Sequence, residues 1–165
     1  MTDKFQLRKA SYSDFDRLFA IYMDETVNRF LNFEIMDKDN FKKIFNELMS
    51  DDQLFVFEKN NEIAATCVVI RQKRRANHVA SLGTLATCPK FHRQGVGTQF
   101  MQALFKKLKN EGIKRIDLCV EADNLIAQKF YKKLGFQLEG VLKKYFKRPN
   151  EDHYIDEHMM ALLID

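Results

Sequence analysis

The sequence contains few of the residues that mark special structural classes. It has no tryptophan, two prolines and only three cysteines among 165 residues, and Cys67, Cys88 and Cys119 show no C-x-x-C spacing. Because the cysteines are odd in number and far apart, they encode neither a disulfide framework nor a zinc ribbon. No histidine pair has the spacing of metal ligands. We therefore expect no metal site and a location in the reducing cytoplasm.

Long hydrophobic segments are also absent. No uncharged apolar run approaches the ~18 residues that a membrane span needs. Residues 1–5 are not followed by the apolar segment of a secretion signal. The sequence therefore predicts a protein that is neither secreted nor membrane-spanning.

The excess of positive charge is small. The chain has 27 lysines and arginines against 23 aspartates and glutamates, which gives a net charge of +4. This balance permits acidic partners but is not that of a polycationic nucleic-acid binder, so nucleic acid is not the expected partner. Hydrophobic residues make up 45% of the chain and include 15 phenylalanines, enough for a buried core. The length predicts a single domain over residues 1–165.

The hydrophobic pattern changes between strand and helix periods along the chain, which predicts an α/β fold with one mixed sheet. Two strands that flank a helix after residue 93 are expected to be parallel. Gly83, inside a predicted strand, indicates a bulge or a close backbone approach. The predicted strands cover 5–10, 54–57, 63–71, 78–87, 116–120, 136–146 and 154–163, and the predicted helices cover 15–22, 39–49, 97–110 and 124–134.

A glycine pair stands between a predicted strand and an amphipathic helix, in the order Arg93, Gln94, Gly95, Val96, Gly97 and Thr98. Glycines let backbone N–H groups approach a phosphate, and a helix N-terminus adds partial positive charge. A tight turn would explain the pair equally well. A dinucleotide fingerprint would need a third glycine at Phe100, and an ATP-binding loop would need Gly-Lys-Ser/Thr, so both of these classes are excluded.

Two motifs in register resemble the GNAT superfamily of N-acetyltransferases. The order of a strand, Pro89 and residues 93–97 resembles motif A of this family, which binds the pyrophosphate of acetyl-CoA. Further along, Asn124, Ala127, Phe130, Tyr131 and residues 134–136 resemble motif B. The branches that acetylate ribosomal-protein N-termini or free amino acids are the most similar. The resemblance implies a twisted mixed sheet with helices on both faces, acetyl-CoA as cosubstrate, and direct transfer of its acetyl group to a primary amine in a ternary complex.

The same resemblance assigns roles to individual residues. Asn124 would orient the thioester and Tyr131 would protonate the departing thiolate, although helical spacing alone also fits Tyr131 as a core aromatic. The pattern departs from the family at His92, where arginine or glutamine is usual. The pyrophosphate would be bound by Arg93, Gln94, Gly95, Val96, Gly97 and Thr98, and the pantetheine by backbone groups of Leu85, Ala86 and Thr87.

The general base is not identified by the motifs. Cys119 stands where some family members have a glutamate. Glu121, two residues further along the same strand face, could replace it through a water, or it could be a solvated carboxylate. His78 and Glu34 are further candidates. We expect residues 28–37 and the turn between the last two strands to line the acceptor site, but the acceptor, whether small molecule or protein N-terminus, cannot be named.

Other functions stay open at this point. Basic and aromatic residues alternate over 143–148, a pattern that fits RNA contact or a solvated strand end. The alternatives are a basic RNA- or ribosome-binding module without turnover and a CoA-binding regulator without turnover. Cys88, beside the pyrophosphate loop, suggests a covalent mechanism with a cysteine nucleophile. We disfavour it because no histidine and acid have the spacing that would activate this thiol. A homodimer is compatible with the resemblance.

Overall fold

The computed structural model describes residues 4–50 and 53–165 of the chain. In these ranges it contains seven strands and five α-helices, and the strands and all but one short helix follow the predicted succession. The strands are β1 (Gln6–Lys9), β2 (Leu54–Lys59), β3 (Glu62–Arg71), β4 (Val79–Thr87), β5 (Arg115–Glu121), β6 (Gln137–Phe146) and β7 (Ile155–Leu163). The helices are α1 (Phe15–Tyr22), α2 (Glu25–Asn28), α3 (Lys38–Met49), α4 (Val96–Asn110) and α5 (Leu125–Lys133).

The seven strands form one mixed sheet in the order β1-β2-β3-β4-β5-β7-β6. Strand β4 is parallel to β5, with Val79–Leu82 opposite Arg115–Leu118, as the intervening helix predicted. Gly83 follows the last of these paired residues, and Thr84 after it has a left-handed φ of +49°. A Cβ at Gly83 would meet nothing within 4 Å, so no other group approaches the backbone closely there. Of the two predicted explanations for this glycine, the structure favours the local irregularity of the strand.

Helix α2 was not predicted, because the sequence analysis assigned residues 23–27 to no element and treated residues 28–37 as a loop. The side chain of Asp24 accepts a hydrogen bond from the N–H of Thr26 and caps this short helix. In the same way Asp37 caps α3 by accepting from the N–H of Asn40. These caps satisfy first-turn donors and fix where each helix begins.

The chain divides into two compact units, and each is described by itself. The first consists of Met1–Val69 and Thr84–Lys106. Its core is rich in aromatic rings, and Phe41 of α3 lies 5.5 Å from Phe15 and from Phe19 of α1, measured between ring centroids. Around them pack other side chains of α1, α3, β2 and β3, including Leu18, Tyr22, Phe45, Leu54, Val56 and Ile63.

A buried carboxylate connects β1 with the start of α1 in this unit. Asp14 is fully buried and receives two hydrogen bonds from Arg8, at 2.7 and 2.9 Å, one from the N–H of Ser11, and one from Arg17. Arg8 also donates to Glu58 of β2. Burial raises the pKa of Asp14, but the hydrogen bonds from Arg8 and Ser11 outweigh it and hold this pKa below its ordinary value.

We expect Asp14→Asn to lower the free energy of unfolding by about 2–3 kcal/mol, because it breaks charge-assisted hydrogen bonds of a buried group. Urea unfolding at neutral pH measures the loss. Asp16→Asn is the matched control, since Asp16 is exposed and pairs only with exposed Lys38 among the contacts described. It should change the free energy by less than ~1 kcal/mol. Equal losses in the two variants would contradict the structural role of Asp14.

The second unit consists of Ile70–Gly83 and Lys107–Asp165. In it β7 lies between β5 and β6 and is antiparallel to both, with Cys119 opposite Met159 and Glu121 opposite Glu157. Helix α5 ends at Lys133, and Gly135 follows with a φ of +102°. The core of the second unit includes the fully or nearly fully buried side chains of Ile113, Ile116, Leu118, Phe136 and Met160.

Candidate active site

The loop before α4 contains two residues with a left-handed backbone. Arg93 and Gly95 both have left-handed φ angles, +59° and +72°, and α4 begins at Val96. The N–H of Gln99 donates to the carbonyl of Gly95 and makes the first helical hydrogen bond. The N–H groups of the preceding residues, Val96, Gly97 and Thr98, are therefore first-turn donors that lack an acceptor within the helix.

The surface of this loop is open at its first glycine. A Cβ built at Gly95 would meet nothing within 4 Å, so a ligand oxygen can approach the backbone there. The helix dipole places partial positive charge at the same end of α4. The loop therefore fits an anionic group such as a pyrophosphate.

Side chains hold the loop in this conformation. The ring Nε2 of His92 lies 2.9 Å from the carbonyl oxygen of Thr87, and the amide of Gln94 donates to the carbonyl of Lys90 at 2.8 Å. The Gln94 side chain is thus turned back onto its own loop. Of the three residues predicted to offer backbone groups to pantetheine, Leu85, Ala86 and Thr87, the last already has its carbonyl in a hydrogen bond. His92 has a bracing role that the sequence did not reveal.

In the second unit, the end of β5 is tied to the start of α5. Asn124 caps α5 by accepting from the N–H of Ala127 at 3.2 Å, and its own N–H donates to the carbonyl of Glu121 at 2.9 Å. Gln128 donates to the carbonyls of Glu121 and Ala122, at 3.0 Å each, and is itself buried. Gln128 was missed by the sequence analysis, because its role depends on the two strand-end carbonyls that the fold places beside it.

Glu121 is buried, which corrects the interpretation of it as a solvated carboxylate. Glu121 is 7% exposed. Burial is the main cause that raises its pKa to about 7, and the charge of Glu157 acts in the same direction. Arg148 partly opposes these effects. The group is therefore able to exchange a proton near neutral pH, as a general base must.

Cys119, at the position of the family glutamate, is exposed on the same strand. The thiol is nevertheless partly buried, and this partial burial, together with the charges of Glu157 and Asp117, raises the pKa of Cys119 to about 11. This direction agrees with the expected behaviour of a strand thiol. A thiol with this pKa holds its proton at neutrality, so it is an inert neighbour to Glu121.

Tyr131 is buried on α5 and packs between two other rings. Its ring centroid lies 5.5 Å from that of Phe130 and 5.7 Å from that of Phe136. The packing role that helical spacing predicted is therefore present. The role of its hydroxyl as an acid stays a prediction. His78 and Glu34, the further candidates for the base, are exposed in the second and the first unit respectively.

The basic segment 143–148 engages groups of its own chain. Arg148 is 6% exposed and makes two hydrogen bonds to Asp123, at 2.7 and 3.0 Å, with Glu151 as a second partner. Lys143 pairs with Asp156 at 3.1 Å. The interpretation of the whole segment as a solvated strand end is therefore wrong at Arg148. The partners of Arg148 and Lys143 are carboxylates of this chain, so these two contacts give no support to RNA binding.

The chain is similar in sequence to known acetyltransferases. The family model described as "Acetyltransferase (GNAT) family" matches residues 15–136. The chain is 37% identical over 93 residues to the L-amino acid N-acetyltransferase AaaT of Escherichia coli, and this alignment covers 56% of each chain. It is 27% identical over 137 residues to the [ribosomal protein bS18]-alanine N-acetyltransferase of Haemophilus ducreyi, which covers 83% of this chain and 86% of the relative.

Solved structures share the fold over nearly the whole chain. The ribosomal-protein-S18-alanine N-acetyltransferase of Escherichia coli has a TM-score of 0.73 at 22% identity and covers 97% of this chain and 94% of its own. A GNAT-family acetyltransferase of Bacillus anthracis has a TM-score of 0.79 at 20% identity and covers 99% and 96%.

The chain belongs to the GNAT family of acetyltransferases, which confirms the family and the fold that the two motifs indicated. The members of this family use acetyl-CoA as the acetyl donor. Among residues 4–50 and 53–165, no three His, Cys, Asp or Glu side chains are grouped as a metal site requires. In the same ranges, no helix has the length and apolar character to cross a membrane.

Proposed function

We propose that the protein transfers the acetyl group of acetyl-CoA to a primary amine by direct attack in a ternary complex. The observation that carries the proposal is the start of α4, where two left-handed residues and a row of first-turn N–H groups present an open anion site. The names of the relatives indicate acceptors of two kinds, an L-amino acid and an alanine of a ribosomal protein.

The pyrophosphate is bound by backbone N–H groups of residues 93–98 in this proposal, with the helix dipole adding attraction. Leu85 and Ala86 offer backbone groups to the pantetheine, and an amide of β4 acts as donor to the thioester oxygen when negative charge develops on it. Arg93, whose side chain is exposed, adds a positive charge beside the phosphates.

The reaction requires proton transfers at the nitrogen and at the sulfur. Glu121 takes a proton from the acceptor ammonium, directly or through a water, and leaves a neutral amine. The amine nitrogen then attacks the thioester carbon and forms the C–N bond, and this nitrogen gives its second proton to solvent as the C–S bond breaks. Tyr131 gives its proton to the departing thiolate, because an ordinary thiol has a pKa of ~8.5, and Tyr131 is then reprotonated from solvent.

An acetyl-CoA turnover screen against a panel of amines tests this function. The panel includes free amino acids, polyamines, aminoglycosides and peptides that begin with alanine, and both the released CoA thiol and the acetylated product are measured. We expect amine-dependent CoA release with a stoichiometric N-acetyl product for at least one acceptor class. Acetyl-CoA binding without transfer to any class would instead support a CoA-binding regulator.

Substitutions separate the two candidates for the base. We expect Glu121→Gln to lower kcat/KM by about 100-fold at neutral pH and to recover in part at high pH, where the amine is already neutral. Cys119→Ala should cost little, because its protonated thiol is a poor base. Initial rates between pH 6 and 10 distinguish them. Loss of transfer in Cys119→Ala with acetyl-CoA binding retained would overturn the assignment and point to a thiol-dependent step.

The remaining parts of the proposal concern the whole protein. Residues 1–165 act as one acetyltransferase domain without a metal, and the protein works in the cytoplasm, where its free cysteines stay reduced. A homodimer is compatible with this function. The acceptor is bound by residues 28–37 and by the segment between β6 and β7.

A further inference from the structure

Two buried glutamates stand opposite each other in the second unit. Glu121 of β5 and Glu157 of β7 are register partners in an antiparallel pair, so both side chains project from the same face of the sheet. Partners of this kind have Cβ atoms about 4.5–5.5 Å apart. The two residues are 7% and 8% exposed, so both carboxyl groups are largely removed from solvent. Neither the sequence motifs nor the proposed mechanism uses Glu157.

On β5, the cation that shares this face, Arg115, stands six residues from Glu121 and is paired with Asp117 at 3.1 Å. Asp117 and Cys119 precede Glu121 at two-residue intervals and therefore point to the same side. The Cys119 thiol partly offsets the effect of burial on the pKa of Glu157. On β6, the register partner of Glu157 is Leu142, an apolar residue.

The other elements around the pair supply one amide and one cation. Asn124, at the start of α5, lowers the pKa of Glu121. Arg148 lowers the pKa of Glu121, but its guanidinium is hydrogen bonded to Asp123 and Glu151. Asp156 and His158 of β7 alternate with Glu157 and lie on the opposite face. The pair is therefore poorly compensated when both of its carboxyl groups are ionised.

We propose that Glu157 shares one proton with Glu121 and acts through it, so that the two carboxyl groups together form the proton acceptor for the substrate ammonium. This inference rests on the proposed function, and Glu157 is a positioning residue in it. The dianionic pair takes one proton from R–NH3⁺ and becomes a monoanion in which the proton lies between the two carboxyl groups. The amine is left neutral for attack, and the shared proton passes to solvent after acetyl transfer.

The electrostatics of the pair favour this behaviour. Two like charges at this separation resist joint ionisation, and the protons leave in two steps that belong to the pair. Burial raises the pKa of Glu157, and it also raises the pKa of Glu121 to about 7, with the charge of Glu157 contributing. A carboxylate with a raised pKa is a stronger base, so Glu157 increases the ability of Glu121 to accept a proton from an ammonium.

An NMR titration of the full chain with 13C-labelled glutamate tests the pair without any assay of activity. In the wild-type protein we expect two glutamate carboxyl signals that titrate together, with one step near neutrality. Glu157→Gln should remove one signal and lower the midpoint of Glu121 by about one pH unit. Glu121→Gln should lower the midpoint of Glu157 in the same direction, and it provides the reciprocal test if the first variant does not fold.

Glu139→Gln is the matched control, because Glu139 lies on β6 of the same unit and is exposed, with Arg115 as its partner. It should leave both midpoints unchanged. Midpoints of Glu121 that agree between wild type and Glu157→Gln would overturn the proposal.

The pH profile of kcat/KM gives the functional readout. Rates should rise with pH as the pair loses its shared proton, and Glu157→Gln should move this acid limb down by about one pH unit and lower the plateau. A purely structural role would lower the rate at every pH and leave the limb in place. If the wild-type protein acetylates no amine, the proposed function fails, while the NMR titration still decides whether the two glutamates share a proton.

Discussion

Tyr131→Phe is expected to lower kcat by about 10²–10⁴-fold while the Kd for acetyl-CoA changes little. The substitution removes one hydroxyl and keeps the ring that packs against Phe130 and Phe136. Without a proton donor, the thiolate must leave as an anion from a site where little water reaches Tyr131, itself 8% exposed. Steady-state rates, calorimetric titration with acetyl-CoA and the melting temperature measure the three quantities separately.

Tyr145→Phe provides the comparison for this experiment, since it makes the same chemical change at an exposed position of β6. It should leave kcat unchanged. If Tyr131→Phe lowers binding and rate together, the residue serves mainly to pack the core. An unchanged kcat would remove Tyr131 from the mechanism.

Gly95→Val is expected to abolish acetyl-CoA binding in a folded protein. Gly95 has a φ of +72°, which a β-branched residue adopts only with strain, and its side chain would occupy the open space that a phosphate needs. At 100 times Kd, acetyl-CoA should stabilise the wild-type protein by ~2.7 kcal/mol and raise its melting temperature by about 5–10 °C. This shift should be absent in the variant.

Gly112→Val separates backbone strain from loss of the anion site. Gly112 has a φ of +87°, its Cβ would also meet nothing within 4 Å, and it follows the other end of α4. Both variants should therefore lose similar intrinsic stability, but Gly112→Val should keep the shift caused by acetyl-CoA. Retention of the shift in Gly95→Val would exclude this loop as the pyrophosphate site.

The features predicted correctly from the sequence are those that depend on neighbouring residues. The period of the apolar residues predicted α4 and α5 close to their observed bounds. The glycine pair predicted a turn at the start of α4, and Gly95 has the left-handed φ that such a turn requires. Asn124, at the cap of α5, was also identified from its local motif.

The features that were missed depend on pairing between distant segments. Glu121 and Glu157 are 36 residues apart in the sequence and become neighbours only through the register of β5 and β7. Arg148 is buried because Asp123, 25 positions earlier, accepts its hydrogen bonds. No periodicity encodes such a register, so the burial that raises the pKa of Glu121 could not be derived from its position at a strand end.

Initial-rate kinetics with both substrates varied test the central claim, direct transfer within a ternary complex, most directly. The rate of CoA release is measured over a grid of acetyl-CoA and amine concentrations. We expect double-reciprocal lines that intersect, because the amine attacks a thioester that is still bound to CoA. Parallel lines, with acetylated protein formed in the absence of amine, would contradict the account and indicate a covalent acetyl-enzyme intermediate.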